Sequence, residues 1–271
     1  MSNAPSEAPE AAQDPPQPGA GQARPSQVEL RPLHWTAPLS WLHLGWRDFT
    51  RAPAIGLFYG ASFAGMGWLL LWLFRGAPAY TLALSAGFLL LGPFLCLGLY
   101  DVSRRLERGE PASFIGSLTA WKTRSGTLAI FGGVLLILEM LWGRAALVIF
   151  AVSFDGMPDF KGSLLALLDP ENLGFIIVYL LVGSVFAGLI FAVSVVAMPM
   201  ILDRQLDAIT AGLTSLRLCV EQPGVMLLWG ATLTLLVVLA MLPGFAGLLV
   251  VGPVLGHASW HAYRAAVAEP A

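Results

Sequence analysis

Charged side chains are scarce in this sequence, and their scarcity excludes an ordinary water-soluble domain. Asp, Glu, Lys and Arg make up 12% of the 271 residues, whereas soluble domains carry about 25%. Hydrophobic residues make up 56%, and the mean hydropathy is +0.72. Such a chain cannot cover itself with a polar surface, so we expect an integral membrane protein.

Cysteines and catalytic motifs are also nearly missing. The two cysteines, Cys96 and Cys219, form neither a disulfide framework nor a metal-binding spacing. The sequence has no P-loop, dinucleotide fingerprint, HExxH motif or nucleophile elbow. We therefore expect neither an enzyme nor a nucleic-acid-binding protein.

The N-terminal segment lacks the apolar core of a cleavable signal peptide and carries Glu7, Glu10 and Asp14. Its Pro, Gln, Ala and Gly content predicts a disordered tail over residues 1–34. Residues 35–265 are predicted to form one transmembrane domain, and residues 266–271 a short C-terminal tail.

Apolar stretches fill most of the remaining chain, and we interpret six of them as membrane-spanning helices. A helix needs about 20 residues to cross ~30 Å of hydrocarbon. The predicted fold is therefore an all-α, polytopic bundle. Its spans are residues 54–74, 79–100, 127–152, 173–202, 225–242 and 244–260.

Prolines mark special positions in these spans. Pro93, Pro199 and Pro253 predict helix kinks, because proline lacks the N–H that bonds one turn back. The pair Pro243-Gly244 predicts a tight hairpin between the last two spans. A single broken or re-entrant helix is the alternative.

The basic residues predict the orientation. Of fifteen Lys and Arg, twelve fall in the tail, the second and fourth connections and the C-terminus. Arg75 and Lys161 fall on the other side, and Arg144 lies within the third span. Because Lys and Arg accumulate on the cytoplasmic side, both termini are predicted to be cytoplasmic.

Three segments on that side have apolar residues at helical spacing. We expect amphipathic helices lying on the bilayer, with a partner-binding surface as the alternative. In the first, Arg47, Asp48 and Arg51 fall on polar faces, and Trp35, Trp41 and Trp46 suit the headgroup level. The stripes are Leu39, Leu42, Trp46 and Phe49; Phe114, Leu118 and Trp121; and Leu206, Ile209, Leu213, Leu216 and Val220.

Ionisable residues inside spans are costly and suggest function. Glu139 and Arg144 lie in the third predicted span, five residues apart, and are therefore poorly placed to pair. They indicate either a polar cavity or ion path, as in a small transporter or channel, or a structural contact between helices.

His257 and His261 are four residues apart, so both imidazoles share one helix face. With His43, Met198 or Met200 as a third ligand, they could bind haem iron, copper or zinc. The alternative is hydrogen bonding at the interface, and we expect no cofactor.

Arginines follow the second span closely. Arg104, Arg105 and Arg108 could contact anionic headgroups or a phosphate group. Simple anchoring of the cytoplasmic side is the alternative.

Four sequence segments resemble one bacterial family. They are LGWRDFTRAPAIGLFYG, GPFLCLGLYDVSRRLERGEP, MPMILDRQLDAITAGLTSLR and GPVLGHASWHAYR, in this order within about residues 35–265. The chain resembles the integral membrane family called domain of unknown function 2189 (DUF2189). The resemblance implies a bacterial inner-membrane protein and no assigned activity. The first hypothesis is an accessory or structural component whose partners are lipid and other membrane helices.

The predicted orientation can be tested with a reporter fused after Ala271. We expect cytoplasmic reporter activity, because an even number of crossings returns the chain to the side where it began. Periplasmic activity of this fusion would contradict the six-span topology.

Overall fold

The chain is helical in the computed structural model, which describes residues 28–76, 78–153, 170–204 and 206–268, without the side chains of residues 74–90 and 171. These residues form no strand, and two short 3₁₀ segments cover Ala120–Arg124 and Pro170–Asn172. The α-helices are α1 (Ala37–Arg51), α2 (Pro53–Gly76), α3 (Pro78–Glu107), α4 (Phe114–Thr119), α5 (Ser125–Ser153), α6 (Leu173–Ser194), α7 (Ala197–Asp203), α8 (Ala208–Glu221), α9 (Pro223–Met241) and α10 (Leu248–Ala266).

Four segments of the described residues are long and apolar enough to cross a membrane: Pro53–Leu73, Phe114–Ser153, Leu173–Asp203 and Pro223–Met241. They contain most of the predicted spans 54–74, 127–152, 173–202 and 225–242. The predicted second span, 79–100, falls in α3. The predicted sixth span, 244–260, includes the first part of α10, a helix that also carries polar and charged residues.

A tight turn joins α9 to α10 at the predicted Pro243-Gly244 position. Gly244 and Phe245 both have positive φ, 63° and 67°, which reverses the chain within a few residues. The indole N–H of Trp68 in α2 donates to the carbonyl oxygen of Gly244 at 2.6 Å. This hydrogen bond holds the turn against α2, the first predicted span.

The fourth predicted span is interrupted, because α6 ends at Ser194 and α7 begins at Ala197. Pro199 accounts for the break, since its ring lacks an N–H and clashes with the carbonyl four residues earlier. Ser215 of α8 enters the gap: its hydroxyl donates to Ala192 O at 2.7 Å and accepts from Val196 N at 3.4 Å. Ser215 thereby bridges a carbonyl and an N–H that would bond to each other in a continuous helix.

Pro93 and Pro253 lie inside α3 and α10, and both helices continue through the proline. Pro253 leaves the carbonyl oxygen of Leu249 without its usual helical donor. At that point α2 approaches so closely that a Cβ on Gly60 would collide with Leu249 O. Glycine at position 60 therefore lets two helix backbones touch.

Helix α10 is the centre of the bundle and packs against α1, α2 and α3. Gly45 provides the contact with α1, since a Cβ there would lie 2.6 Å from Val254 O and 2.7 Å from Ala258 N. The buried face of α10 includes Trp260 and Tyr263, each nearly inaccessible to solvent.

The prediction for the faces of α1 needs correction. Asp48, expected on a polar face, and Trp41, expected among headgroups, are both buried, and they share the α10-facing side with Gly45. Leu39 and Trp46 of the predicted apolar stripe are exposed. Phe49 of the same stripe is buried, and Leu42 packs against the core. The reason is that contact with α10 decides which side of α1 is buried: Gly45 lets the two backbones approach, and Asp48 bonds to His261.

Most residues of the other two predicted stripes face outward, whereas Leu206 packs against the core. Exposed side chains in and after α4 include Phe114, Leu118 and Trp121, and those on α8 include Ile209, Leu213 and Val220. The buried side of α8 consists mainly of small residues, among them Ala211, Gly212 and Ser215.

The two ends of the described chain are joined. Leu30 and Val267 form an antiparallel bridge, with Arg31 N donating to Ala266 O at 2.8 Å and Ala268 N donating to Glu29 O at 2.9 Å. Residues 28–34, expected in the tail, thus lie against the end of α10. Residues 1–27 of the predicted tail lie outside the described residues.

Replacing Gly60 by Ala tests the close approach of α2 to α10. The new methyl group meets backbone, which cannot rotate away, so we expect a loss of about 2 kcal/mol in stability, as for other overpacked sites. The measurement is the thermal midpoint of the purified protein in detergent. The control is Gly65→Ala on the same helix, because a Cβ there meets nothing within 4 Å. Equal midpoints for the two variants would contradict the contact.

A candidate polar site at one end of the bundle

Charged and polar side chains from four helices meet at one end of the bundle, which we call the polar end. They come from the last turns of α3 and α10, from the end of α7 and from α1. The polar end consists of Asp48, Asp101, Ser103, Arg104, Arg105, Glu107, Arg108, Asp203, Arg204, His257, Trp260, His261, Tyr263 and Arg264.

Asp48 is one of two buried acids of the site, with 2% of its surface exposed. The imidazole Nε2 of His261 donates to Asp48 Oδ2 at 2.8 Å. Burial alone would raise the pKa of Asp48, but the hydrogen bond and the nearby charge of His261 hold this pKa below its usual value. A further hydrogen bond from Ser103 acts in the same direction.

The two histidines of α10 have different partners. His257 is fully buried, and its Nδ1 shares a hydrogen bond of 2.8 Å with Ser103 Oγ. His43 is exposed on α1, and Met198 and Met200 are buried in the core. Within the described part of the chain, no three His, Cys, Asp or Glu side chains are grouped so that they could hold a metal ion. His257, His261 and His43 therefore do not form a three-ligand set.

Asp101 binds two of the arginines expected at headgroups. Its buried carboxylate accepts from the guanidinium of Arg104 and, at 2.8 Å, from Nε of Arg105. The hydrogen bond and charge of Asp101 raise the pKa of Arg105. Arg108 differs, because 56% of its side chain is exposed.

The end of α7 is tied to α10 and to the C-terminal segment. Tyr263 donates its hydroxyl proton to Asp203 Oδ2 at 2.8 Å and accepts from Arg204 Nε at 3.0 Å. Arg204 also donates to the carbonyl oxygen of Ala268. Burial first, and then the charge of Asp203, raise the pKa of Tyr263, so the hydroxyl remains a donor at neutral pH.

Glu107 joins the end of α3 to α10. Its carboxylate accepts from the indole N–H of Trp260 and from Nε of Arg264, both at 3.0 Å. Sequence reasoning did not predict Glu107 as a member of this site. Its partners lie more than 150 residues away in the sequence, so no local pattern indicates these contacts.

A cleft of about 470 Å³ opens between these helices. Side chains of α3, α7 and α10 and of the residue after α7 form its walls. The lining residues are Arg104, Glu107, Arg108, Asp203, Arg204, Trp260 and Arg264. The cleft therefore presents guanidinium groups, which suit an anion.

The other ionisable pair predicted from sequence is not part of this site. Glu139 is a buried residue of α5, with 8% of its surface exposed. Arg144 lies further along the same helix and is exposed. The two side chains thus have different surroundings, and the structure does not bring them together.

Replacing Asp48 by Asn tests the buried pair with His261. Losing a charged hydrogen bond costs about 2 kcal/mol, so the thermal midpoint in detergent at pH 7 should fall. The control is Glu221→Gln, which removes a half-exposed surface pair with Arg217 and should cost less than about 1 kcal/mol.

The same variant has a defined pH dependence. The folded pKa of Asp48 lies below its unfolded value. The ionised carboxylate therefore stabilises the fold above about pH 3.9, and this contribution is lost as the pH falls through the lower folded pKa. The midpoint difference between the parent protein and Asp48→Asn should shrink in that acidic range. A difference that is constant from pH 7 to pH 3 would contradict a role for the charge.

Comparison with protein-family models gives a match for the middle of the chain. The family model described as predicted integral membrane protein (DUF2189) matches residues 81–203, which include the Asp101–Arg108 half of the polar end and reach Asp203. No curated protein matches the chain, and no solved structure matches it. The resemblance seen in the sequence is thus confirmed for this segment: residues 81–203 match the model of the DUF2189 family of predicted integral membrane proteins.

Proposed function

We propose that this protein is a non-enzymatic component of the bacterial inner membrane, which crosses the membrane six times and packs against the helices of other membrane proteins. The crossings are α2, α3, α5, α6, α9 and α10. Helix α3 has 30 residues and is therefore about 45 Å long, enough to cross the hydrocarbon and extend into water.

Four segments of the chain meet at the polar end, and this supports an even number of membrane crossings between each of them and the next. The segment before α2, the connection after α3, the connection after α6 and the end of α10 all lie at this end. Contacts link α1 with α10 and α10 with α7, and Leu30 pairs with Val267. The excess of Lys and Arg in the same segments supports a cytoplasmic position for them.

The outward apolar stripes of α1, α4 and α8 support a position of the polar end at the bilayer surface. Exposed Trp46 and Trp121 have the amphipathic rings that favour the headgroup level. Exposed apolar side chains beside them, such as Ile115 and Ile209, would be covered by acyl chains.

The observation that carries the accessory role is the exposure of α6. None of its 22 residues is buried, although α6 packs against α5 and α8. Gly188 of α6 and Gly143 of α5 face open space, since a Cβ on either would meet nothing within 4 Å. Small outward residues allow another helix to approach closely in a membrane. The α5–α6 pair therefore offers a surface for partner helices.

A photo-crosslinking side chain in place of Val185 tests this surface in native membranes. Val185 is 70% exposed on α6, and the control position, Leu227 of α9, is 72% exposed. We expect a discrete protein adduct from position 185 and lipid adducts alone from position 227. The adduct's mass separates a second copy of the chain from another protein. Lipid adducts alone at both positions would contradict partner packing by α5 and α6.

A further inference from the structure

The cleft at the polar end is lined by more positive than negative charge. Arg104, Arg108, Arg204 and Arg264 contribute four guanidinium groups, against the two carboxylates of Glu107 and Asp203. Its volume of about 470 Å³ falls within the roughly 300–1,000 Å³ of sites for small molecules.

Both carboxylates of the cleft are engaged by neutral donors as well as by arginine. Glu107 accepts from the indole of Trp260, and Asp203 accepts from the hydroxyl of Tyr263. Asp101, which is buried beside Arg104 and pairs with it, is a third acid at the cleft. Three carboxylates against four guanidinium groups still leave a net positive charge along the walls.

Two of the arginines are held in place before any ligand arrives. Arg104 donates to Leu202 O at 3.3 Å and pairs with Asp101. Arg204 donates from Nε to the hydroxyl of Tyr263, and its guanidinium carbon lies 5.9 Å from the centre of that ring. A positively charged wall that is already ordered costs little entropy when it binds an anion.

Arg108 is the arginine most available to a ligand. Its side chain is 56% exposed, and its Nη2 lies 3.7 Å from Asp203 Oδ1, beyond hydrogen-bond distance. A guanidinium presents several N–H donors in a plane, which matches the oxygens of a phosphate group.

We infer that the cleft binds a phosphate group through Arg108, with Arg104 and Arg204 as its fixed positive wall. The same chemistry is offered by a soluble phosphate compound and by the headgroup of an anionic phospholipid. This site goes beyond the proposed packing role, and it depends neither on the number of crossings nor on the α5–α6 surface.

Binding is measured on the purified full-length protein with two probes. The first is inorganic phosphate, titrated at constant ionic strength in an uncharged detergent. The second is phosphatidylglycerol. The protein is placed in phosphatidylcholine nanodiscs made with and without phosphatidylglycerol and is then released from them. Native mass spectrometry measures how much phosphatidylglycerol the released protein retains.

The test variant is Arg108→Gln, and the matched control is Arg47→Gln, which removes the same charge from an exposed position of α1 outside the cleft. We expect Arg108→Gln to weaken binding about ten-fold, the loss of one charged hydrogen bond, while Arg47→Gln binds like the parent protein. Because Arg108 is exposed, both variants should keep the thermal midpoint of the parent.

The two probes identify the source of the phosphate. If Arg108→Gln weakens the binding of inorganic phosphate and Arg47→Gln does not, the cleft is a site for soluble phosphate compounds. Selective loss of phosphatidylglycerol, with no binding of inorganic phosphate, supports a headgroup site. The inference is overturned if neither probe separates Arg108→Gln from the parent, or if Arg47→Gln weakens binding equally.

Discussion

Direct contact between the backbone of α10 and those of α1 and α2 is the constraint on which the rest of the structure depends. Gly45 and Gly60 have no room for a side chain, because backbone atoms of α10 occupy that space. In hydrocarbon, where apolar side chains gain little by leaving lipid, such close packing is a main source of helix association. It fixes α10 along its length and so delivers His257, His261 and Arg264 to the polar end.

The buried charges then restrict the side chains of the polar end to a single arrangement. Asp48 and Asp101 are almost fully buried, and a buried carboxylate without partners would cost several kcal/mol. His261 supplies the partner for Asp48, whereas Arg104 and Arg105 supply those for Asp101. The same bonds that stabilise the acids hold the arginine wall of the cleft in position. Structural ion pairs and a binding surface thus share their residues.

Amphipathic segments in a membrane protein have to be interpreted differently from those in a soluble one. In α1 and α8 much of the apolar stripe that stands out in the sequence faces outward, where lipid would cover it, although Phe49 of α1 is buried. The protein-facing sides hold small and polar residues, such as Gly45 in α1 and Ser215 in α8. The interpretation of Asp48 as a surface residue was wrong because a hydrogen-bonded acid on an inner face has the same sequence pattern as an exposed one.

Hydrophobic length alone determined where the long helices lie. Residues 127–152 and 225–242, predicted from apolar runs, correspond to Ser125–Ser153 and Pro223–Met241, because backbone groups in hydrocarbon have to bond within their own segment. Proline chemistry predicted a kink at Pro199, where the structure has an interruption between Ser194 and Ala197. Only the tertiary structure decided which charges meet, since Asp48 and His261 are 213 residues apart and local pattern carries no information about partners at that distance. Their pairing follows from the angle and depth at which helices pack, and these are set by contacts such as Gly60 against Leu249.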